Sequence, residues 1–418
     1  MKAKKQKTTW QKVRKFFNDI HLWVGLASAL VLIPVCFSGT IYVYNTELQE
    51  MFSAHLHHIE IQNGSSKKTI ESLLQSLSAQ VDGDITGVSV PHDPQGTFQF
   101  TVREKDSRSR FGTSYYMDPY TGKIVGTSEE KNAIAGFMRD MFSLHRWLLL
   151  DKIEEPLIGE LSNRKLGSYI TGTATILFTL GVLTGIVIWF PQKVKNWRQG
   201  LKLKLNGSWK RANHDLHNTL AFYAFFILLI MGLTGPQWSF PWYRTGLQKT
   251  LGTYQEPSGR GGGHGRPSPS NEKEEQPEKT LSLLPYQEYL DVADKHLDYT
   301  GDYRISFPKN GNDLVEIQKN KTGFFAPAAS DRISLEPATA AVSDIHRFAD
   351  QPFNQRVARS IKALHIGSVY GGFSKLLYFI SCLIATSLPI TGTLIWINKM
   401  KKKPSRKTKK KPQAVAVS

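Results

Sequence analysis

The sequence predicts a membrane α-helical protein: a four-helix transmembrane bundle built as a two-fold internal repeat, with two α+β domains on one face of the membrane. Three observations predict it. Four apolar runs, residues 22–44, 168–190, 218–235 and 376–397, contain no charged side chain. Crossing a bilayer core of about 30 Å takes roughly 20 helical residues. Basic residues crowd the same ends of these runs, and landmarks in the first half of the chain return in the second.

The 418 residues include 53 Lys+Arg and 35 Asp+Glu, a formal charge of +18. Residues 2–15, 193–211 and 399–411 hold 23 of those 53 basic groups, so the remainder is nearly neutral. An excess confined to short flanks of apolar runs follows the positive-inside rule, and it argues against nucleic acid as a partner. The rule orders the chain as a basic cytoplasmic N-terminus (1–21), a first span (22–44), a periplasmic domain (45–167), a second span (168–190), a basic cytoplasmic loop (191–217), a third span (218–235), a second periplasmic domain (236–375), a fourth span (376–397) and a basic cytoplasmic tail (398–418). Both termini are then cytoplasmic and the membrane is the bacterial inner membrane. The first run is too long, and lacks the small-residue cleavage site, for a removable signal peptide. The two cysteines, Cys36 and Cys382, lie in apolar runs and read as filler. The outer domains therefore rely on ordinary cores.

Self-comparison carries the repeat. His21 opens the first run, which ends at Ser38-Gly39-Thr40; His217 precedes the third, which ends at Thr234-Gly235-Pro236. Each histidine has a small residue four positions on, Gly25 or Ala221. Leu144-His145 stands before the second run and Leu364-His365 before the fourth, and both of these runs close on T-G-x-x-I-W. Between spans, residues 70–79 have helical spacing and residues 85–90, 98–102 and 114–117 read as strands, ending at Asp118-Pro119-Tyr120-Thr121-Gly122. The second copy reads as a helix at 283–296 and strands at 303–307, 314–318 and 332–335, ending at Glu336-Pro337-Ala338-Thr339. Residues 256–279, rich in Gly, Pro, Ser and charge, read as a disordered insertion.

On His21-Leu22-Trp23-Val24-Gly25, Asp118-Pro119-Tyr120-Thr121-Gly122, Leu144-His145-Arg146, Asp215-Leu216-His217 and Leu364-His365-Ile366-Gly367, the chain resembles the PepSY-associated transmembrane-helix family, the PiuB-like iron-regulated membrane proteins. The resemblance implies PepSY-like outer domains. It also implies kinship with inner-membrane di-haem reductases that release iron from ferric siderophores.

The histidine positions point to the same cofactor. Haem b takes neutral imidazole on its axial faces, supplied by facing helices. The repeat places His21 and His217 at the cytoplasmic mouths of spans one and three, and His145 and His365 at the outer mouths of spans two and four. The expectation is two haem b groups, an inner one on His21 and His217 and an outer one on His145 and His365. His214, one turn before His217, is the alternative inner ligand. Arg146, Arg347, Arg356 and Arg359 outside, and Lys210 and Arg211 inside, are candidate partners for propionates, or simple interfacial anchors. Trp189, Phe190, Trp238, Trp242 and Tyr243 read as an interfacial belt. His55, His57 and His58 form a secondary metal candidate that no Cys, Asp or further His completes.

The expected function is electron transfer from the cytoplasmic side to the periplasm, reducing a ferric siderophore. No G-x-G-x-x-G fingerprint accompanies it, so the donor is a quinol or a separate reductase. Two other classes stay open. One is a haem-free regulatory protein that binds proteases or peptides. The other is a siderophore or metal transporter, disfavoured because the spans hold no charged residue for ion coupling.

Overall fold

The computed structural model describes residues 8–103, 112–130, 132–191, 195, 197–256, 282–310 and 313–401. The insertion expected at 256–279 lies outside the described residues except for Glu256, and so do residues 402–418 of the basic tail.

Among the described residues, four helices are long and apolar enough to cross a membrane: Thr9–Tyr42, Asn163–Trp189, Trp209–Trp238 and Gly371–Met400, here spans one to four. The shortest has 27 residues and at 1.5 Å per residue rises about 40 Å. The helices therefore run past the apolar segments seen in the sequence and carry polar ends out of the bilayer core. A capping box starts span one: the Gln11 backbone N–H donates to the Thr8 side chain, and the Thr8 backbone N–H donates to the Gln11 side chain. Span three is not uniform. It runs as an α-helix to Asp215, widens into a π-helical turn at Leu216–Leu220, and resumes as an α-helix over Ala221–Thr234. Such wide turns mark functional positions in many helices, and this one carries His217.

The segments between spans build one eight-stranded antiparallel sheet. Its strands are β1 (Asp84–Val90), β2 (Phe98–Arg103), β3 (Thr113–Met117), β4 (Ile124–Thr127), β5 (Gly301–Ser306), β6 (Val315–Lys321), β7 (Ser330–Leu335) and β8 (Val342–His346). Their order is β4-β3-β2-β1-β5-β6-β7-β8. Each half contributes four strands, joined by β1–β5 with Val88 opposite Ile305. Gly87 permits this seam, because a Cβ there would stand 2.4 Å from the Ile305 carbonyl oxygen.

The sequence separates two outer units, whereas the structure joins them edge to edge over one core. Leu73, Leu77, Phe100 and Met117 from the first segment and Tyr289, Ile305, Ile317 and Leu335 from the second belong to the same buried cluster. The helices Ile70–Ser78 and Tyr286–His296 supply part of this core. Strands β4 and β8 were not read from the sequence. They are the short edges of the sheet, folded back by the turns after β3 and β7, and their residues are mostly exposed or half-buried.

Two further helices, Ala133–Trp147 and Phe353–Ile366, precede spans two and four. Left-handed residues end both: Leu148 (φ 55°) and Leu149 (φ 62°) in the first, Gly367 (φ 81°) in the second. The sequence reading placed His145 and His365 at the mouths of spans two and four. In the structure they lie near the ends of these separate helices, which lead into those spans.

Candidate functional site

The four histidines meet in two pairs. At the end of the bundle remote from the sheet, the ring centres of His21 and His217 lie 6.2 Å apart, with the ring planes at 81°. At the sheet end, His145 and His365 also lie 6.2 Å apart, at 61°. A metal atom held axially by two imidazoles at about 2 Å from each nitrogen keeps the ring centres roughly 6 Å apart. The ring separation of either pair is compatible with that distance.

The same small socket holds every ring. His145 Nδ1 donates to the Val35 carbonyl at 2.8 Å. His21 Nδ1 donates to the Gly181 carbonyl at 3.0 Å and lies 3.1 Å from Thr184 Oγ1. His217 Nδ1 lies 2.9 Å from Thr391 Oγ1, beside the Leu388 carbonyl. His365 Nδ1 lies 2.9 Å from Thr234 Oγ1, beside the Met231 carbonyl.

In each case a Ser or Thr stands three residues after the carbonyl (Ser38, Thr184, Thr391, Thr234) and a Gly stands four after it (Gly39, Gly185, Gly392, Gly235). The hydroxyl proton is used within its own helix, as in Thr184 to Leu180 O at 2.7 Å and Thr234 to Ile230 O at 2.7 Å. The glycine opens the carbonyl to sideways approach. A Cβ at Gly39, Gly185, Gly235 or Gly392 would stand 3.0, 3.3, 3.4 or 3.1 Å from Cε1 of the seated histidine.

The Gly181 and Val35 carbonyls only accept, and the Thr391 and Thr234 hydroxyls already donate within their own helices, so each Nδ1 carries the proton and each Nε2 keeps its lone pair. Fixing the tautomer through the remote nitrogen is how second-sphere groups prepare imidazole for a metal. In the sequence, Ser38-Gly39, Thr184-Gly185, Thr234-Gly235 and Thr391-Gly392 stand out only as markers of the repeat. Their role as sockets was missed, although the three-and-four spacing was visible.

The pair remote from the sheet borders a cavity of about 380 Å³ walled in part by His21, Gly25, Gly185, His217, Ala221 and Gly392. This is within the size range of ligand sites. A Cβ on Gly25 would meet nothing within 4 Å. Arg14 and Lys399 are the cations on its wall, rather than Lys210 and Arg211. Arg211 is instead bonded to Asp215 at 2.9 Å.

His217, and not His214, faces His21. His214 is exposed and lies 3.5 Å from Asp215, although it also reaches the cavity. Of the arginines expected at the sheet end, Arg146 adjoins the pair. It donates to the Trp238 carbonyl at 3.2 Å, and the Trp238 ring lies 4.9 Å from His365. Arg347 turns away to the His296 carbonyl.

The two levels are well separated. Val35 and Met231, which hold the sheet-side rings, come 14 residues after His21 and His217 (35−21 and 231−217), about 21 Å along a helix. An apolar layer that includes Leu228 and Ala385 lies in the bundle, with Cys36 packed against it. Cys382 Sγ approaches Met231 Sδ to 3.7 Å.

His55, His57 and His58 do not converge. They face Glu130 at 3.1 Å, the Tyr116 ring at 5.0 Å and Asp93 at 3.8 Å respectively. Among the described residues no group of three or more His, Cys, Asp or Glu is placed to hold a metal ion. The secondary metal candidate gains no support from this arrangement.

Four crossing helices with a paired-imidazole site at each of two depths define an integral membrane protein. The chain belongs to the PepSY-associated TM region family, whose model matches residues 19–399 and so takes in all four histidines and all four socket glycines. Comparison with curated proteins finds no match.

Proposed function

We propose that the chain is a duplicated b-type di-haem protein of the bacterial inner membrane that passes electrons outward to reduce ferric siderophores and release their iron. The observation that carries this reading is the repetition of one imidazole pair, at one ring separation and in one kind of socket, at two depths. Basic residues at the bundle end remote from the sheet, among them Arg14, Lys15, Arg211 and Lys399, favour that end as cytoplasmic. The sheet, PepSY-like and built from both halves, then faces the periplasm.

The residues fit the group. The donor set is neutral imidazole with its Nε2 lone pair free, the ring spacing suits one iron atom, and the space beside Gly25 and Ala221 suits a flat macrocycle. Bound haem supplies one-electron chemistry at each level. His21 and His217 would hold the inner iron and His145 and His365 the outer one. The Ser/Thr-Gly sockets hold the Nδ1 protons and orient the rings, and Arg14, Lys399 and Arg146 offer positive charge for propionates. The packed layer at Leu228 and Ala385 keeps water from the path between levels.

A quinol or a separate reductase supplies each electron from the cytoplasmic side. One electron converts one ferric ion of the chelate to ferrous, which hard oxygen ligands hold less tightly. The first test is the dithionite-reduced minus oxidised spectrum of the purified protein, where a b-type α band is expected. Protein that stays colourless when offered hemin would overturn the reading and leave a haem-free PepSY membrane protein that binds proteases or peptides. For pigmented protein, stopped-flow oxidation by a panel of ferric siderophores tests the acceptor.

A further inference from the structure

The turn between β6 and β7 bears two adjacent phenylalanines, and neither is buried in the sheet. Phe324 is 55% exposed and Phe325 66% exposed, a large apolar display for a turn of a polar domain. The turn is fastened to the head of span four. Phe373 N donates to Phe324 O at 3.0 Å, Ala328 N donates to Val369 O at 3.2 Å, and Pro327 bridges Tyr370.

Gly371 makes that contact possible. It has φ +54°, and a Cβ there would stand 2.7 Å from the Gly323 carbonyl oxygen and 2.9 Å from that of Phe324. The rings of Phe324 and Phe325 lie 6.4 and 5.2 Å from the ring of Phe373. Phe373 is itself exposed, and Leu376, Leu377, Ile380 and Leu383 continue its exposed surface down the span. The apolar face of a membrane-crossing helix thus runs without a break onto a turn of the sheet.

We infer that Phe324 and Phe325 dip into the lipid at the sheet-side boundary of the bilayer, so that the β6–β7 turn seats the sheet on the membrane. The occupant of this surface is lipid, at the junction of headgroups and acyl chains. Continuity with the lipid-facing wall of span four argues for it, because a bilayer that covers Leu376 and Leu377 reaches Phe373 one turn above. Aromatic rings favour this boundary. The backbone contacts to Val369, Tyr370 and Phe373 hold the turn there. This inference needs no haem and stands apart from the proposed function.

Spin-label accessibility in phosphatidylcholine vesicles tests it. In full-length protein with Cys36→Ala and Cys382→Ala, labels are placed singly at F325C, F324C, L377C and D344C. Leu377 reports a lipid-facing position and Asp344, on the exposed edge strand β8, a solvent-facing one. Oxygen concentrates in the bilayer and a nickel chelate in water. The expected result is that label 325 prefers oxygen over the chelate, as 377 does. A label at 325 that follows 344 would overturn the inference, even if 324, which packs on Gly372, stays protected.

Discussion

The two histidine pairs share a ring separation and a socket but reach them by different routes. His21 and His217 sit on the spans themselves and seat against the next span of their own half, at Gly185 and Gly392. His145 and His365 arrive on separate helices and dock back on the preceding span, at Gly39 and Gly235. Each half is thus laced by two contacts, yet each pair joins one ring from each half. Neither half alone can complete a pair.

Charge differs as well. Two residues before His217 lies the buried carboxylate of Asp215, held by Arg211. Directly after His145 comes Arg146, whose guanidinium bonds a carbonyl and lies within electrostatic reach of Arg164 and Arg244. If both levels hold haem, the Arg146 charge favours the electron on the outer one, while the Asp215 carboxylate is offset by Arg211 and the inner cavity wall carries Arg14 and Lys399.

The largest expected effect comes from the ligands. His145→Ala or His365→Ala should halve the haem content measured by pyridine haemochrome while leaving the inner centre intact, and His21→Ala or His217→Ala should do the reverse. Retention of both haems after either change would disprove the pairing.

Next comes the socket. Gly39→Val puts branched bulk where a single Cβ already stands 3.0 Å from His145 Cε1. It should displace that ring and alter only the outer centre's low-spin electron paramagnetic resonance signal. Unchanged signals from both centres would remove the socket from the account.

A smaller effect is expected for Arg146→Gln. Removing the charge should lower the outer midpoint potential by on the order of 59 mV, about tenfold in electron sharing for a one-electron couple, with Arg146→Lys restoring most of it. Equal shifts at both centres would mean that charge does not separate the levels.

The smallest effect on either pair is expected from the sheet. Lys319, 3% exposed, is bonded to Asp294 at 2.5 Å. Partial burial alone would raise the Asp294 pKa, but hydrogen bonds from Lys319 and Tyr303 and the Lys319 charge outweigh it and hold the carboxyl below its ordinary value. The stabilisation is therefore present above an unfolded pKa of about 3.9 and is lost as pH falls through the lower folded value. Because the Asp294 side chain is half exposed, Asp294→Asn should cost no more than about 1 kcal/mol in a denaturation melt and flatten that acid limb without moving either haem spectrum. A spectral change would show that the sheet and the bundle are coupled.

Much of this was legible in the sequence. Residues 22–44 and 376–397 announce membrane helices because about 20 charge-free residues have few other stable homes. The landmarks at His21 and His217, and at His145 and His365, named the residues that the fold brings together. The edge strands β4 and β8 were not legible, because a short half-exposed edge needs little apolar patterning. The helices Ala133–Trp147 and Phe353–Ile366 were missed for a related reason, since their mixed polarity resembles a connecting segment.

By itself the sequence determined the four crossings, their basic flanks and the identity of the four imidazoles, because these follow from local composition and spacing along one chain. Only the tertiary structure decided that His217 rather than His214 faces His21, that β1 joins β5 in one sheet, and that each histidine seats against a glycine on another helix. Those outcomes depend on which backbone surfaces come within 3 to 4 Å of each other. That distance is set by helix packing between segments more than 100 residues apart, and no local pattern encodes it.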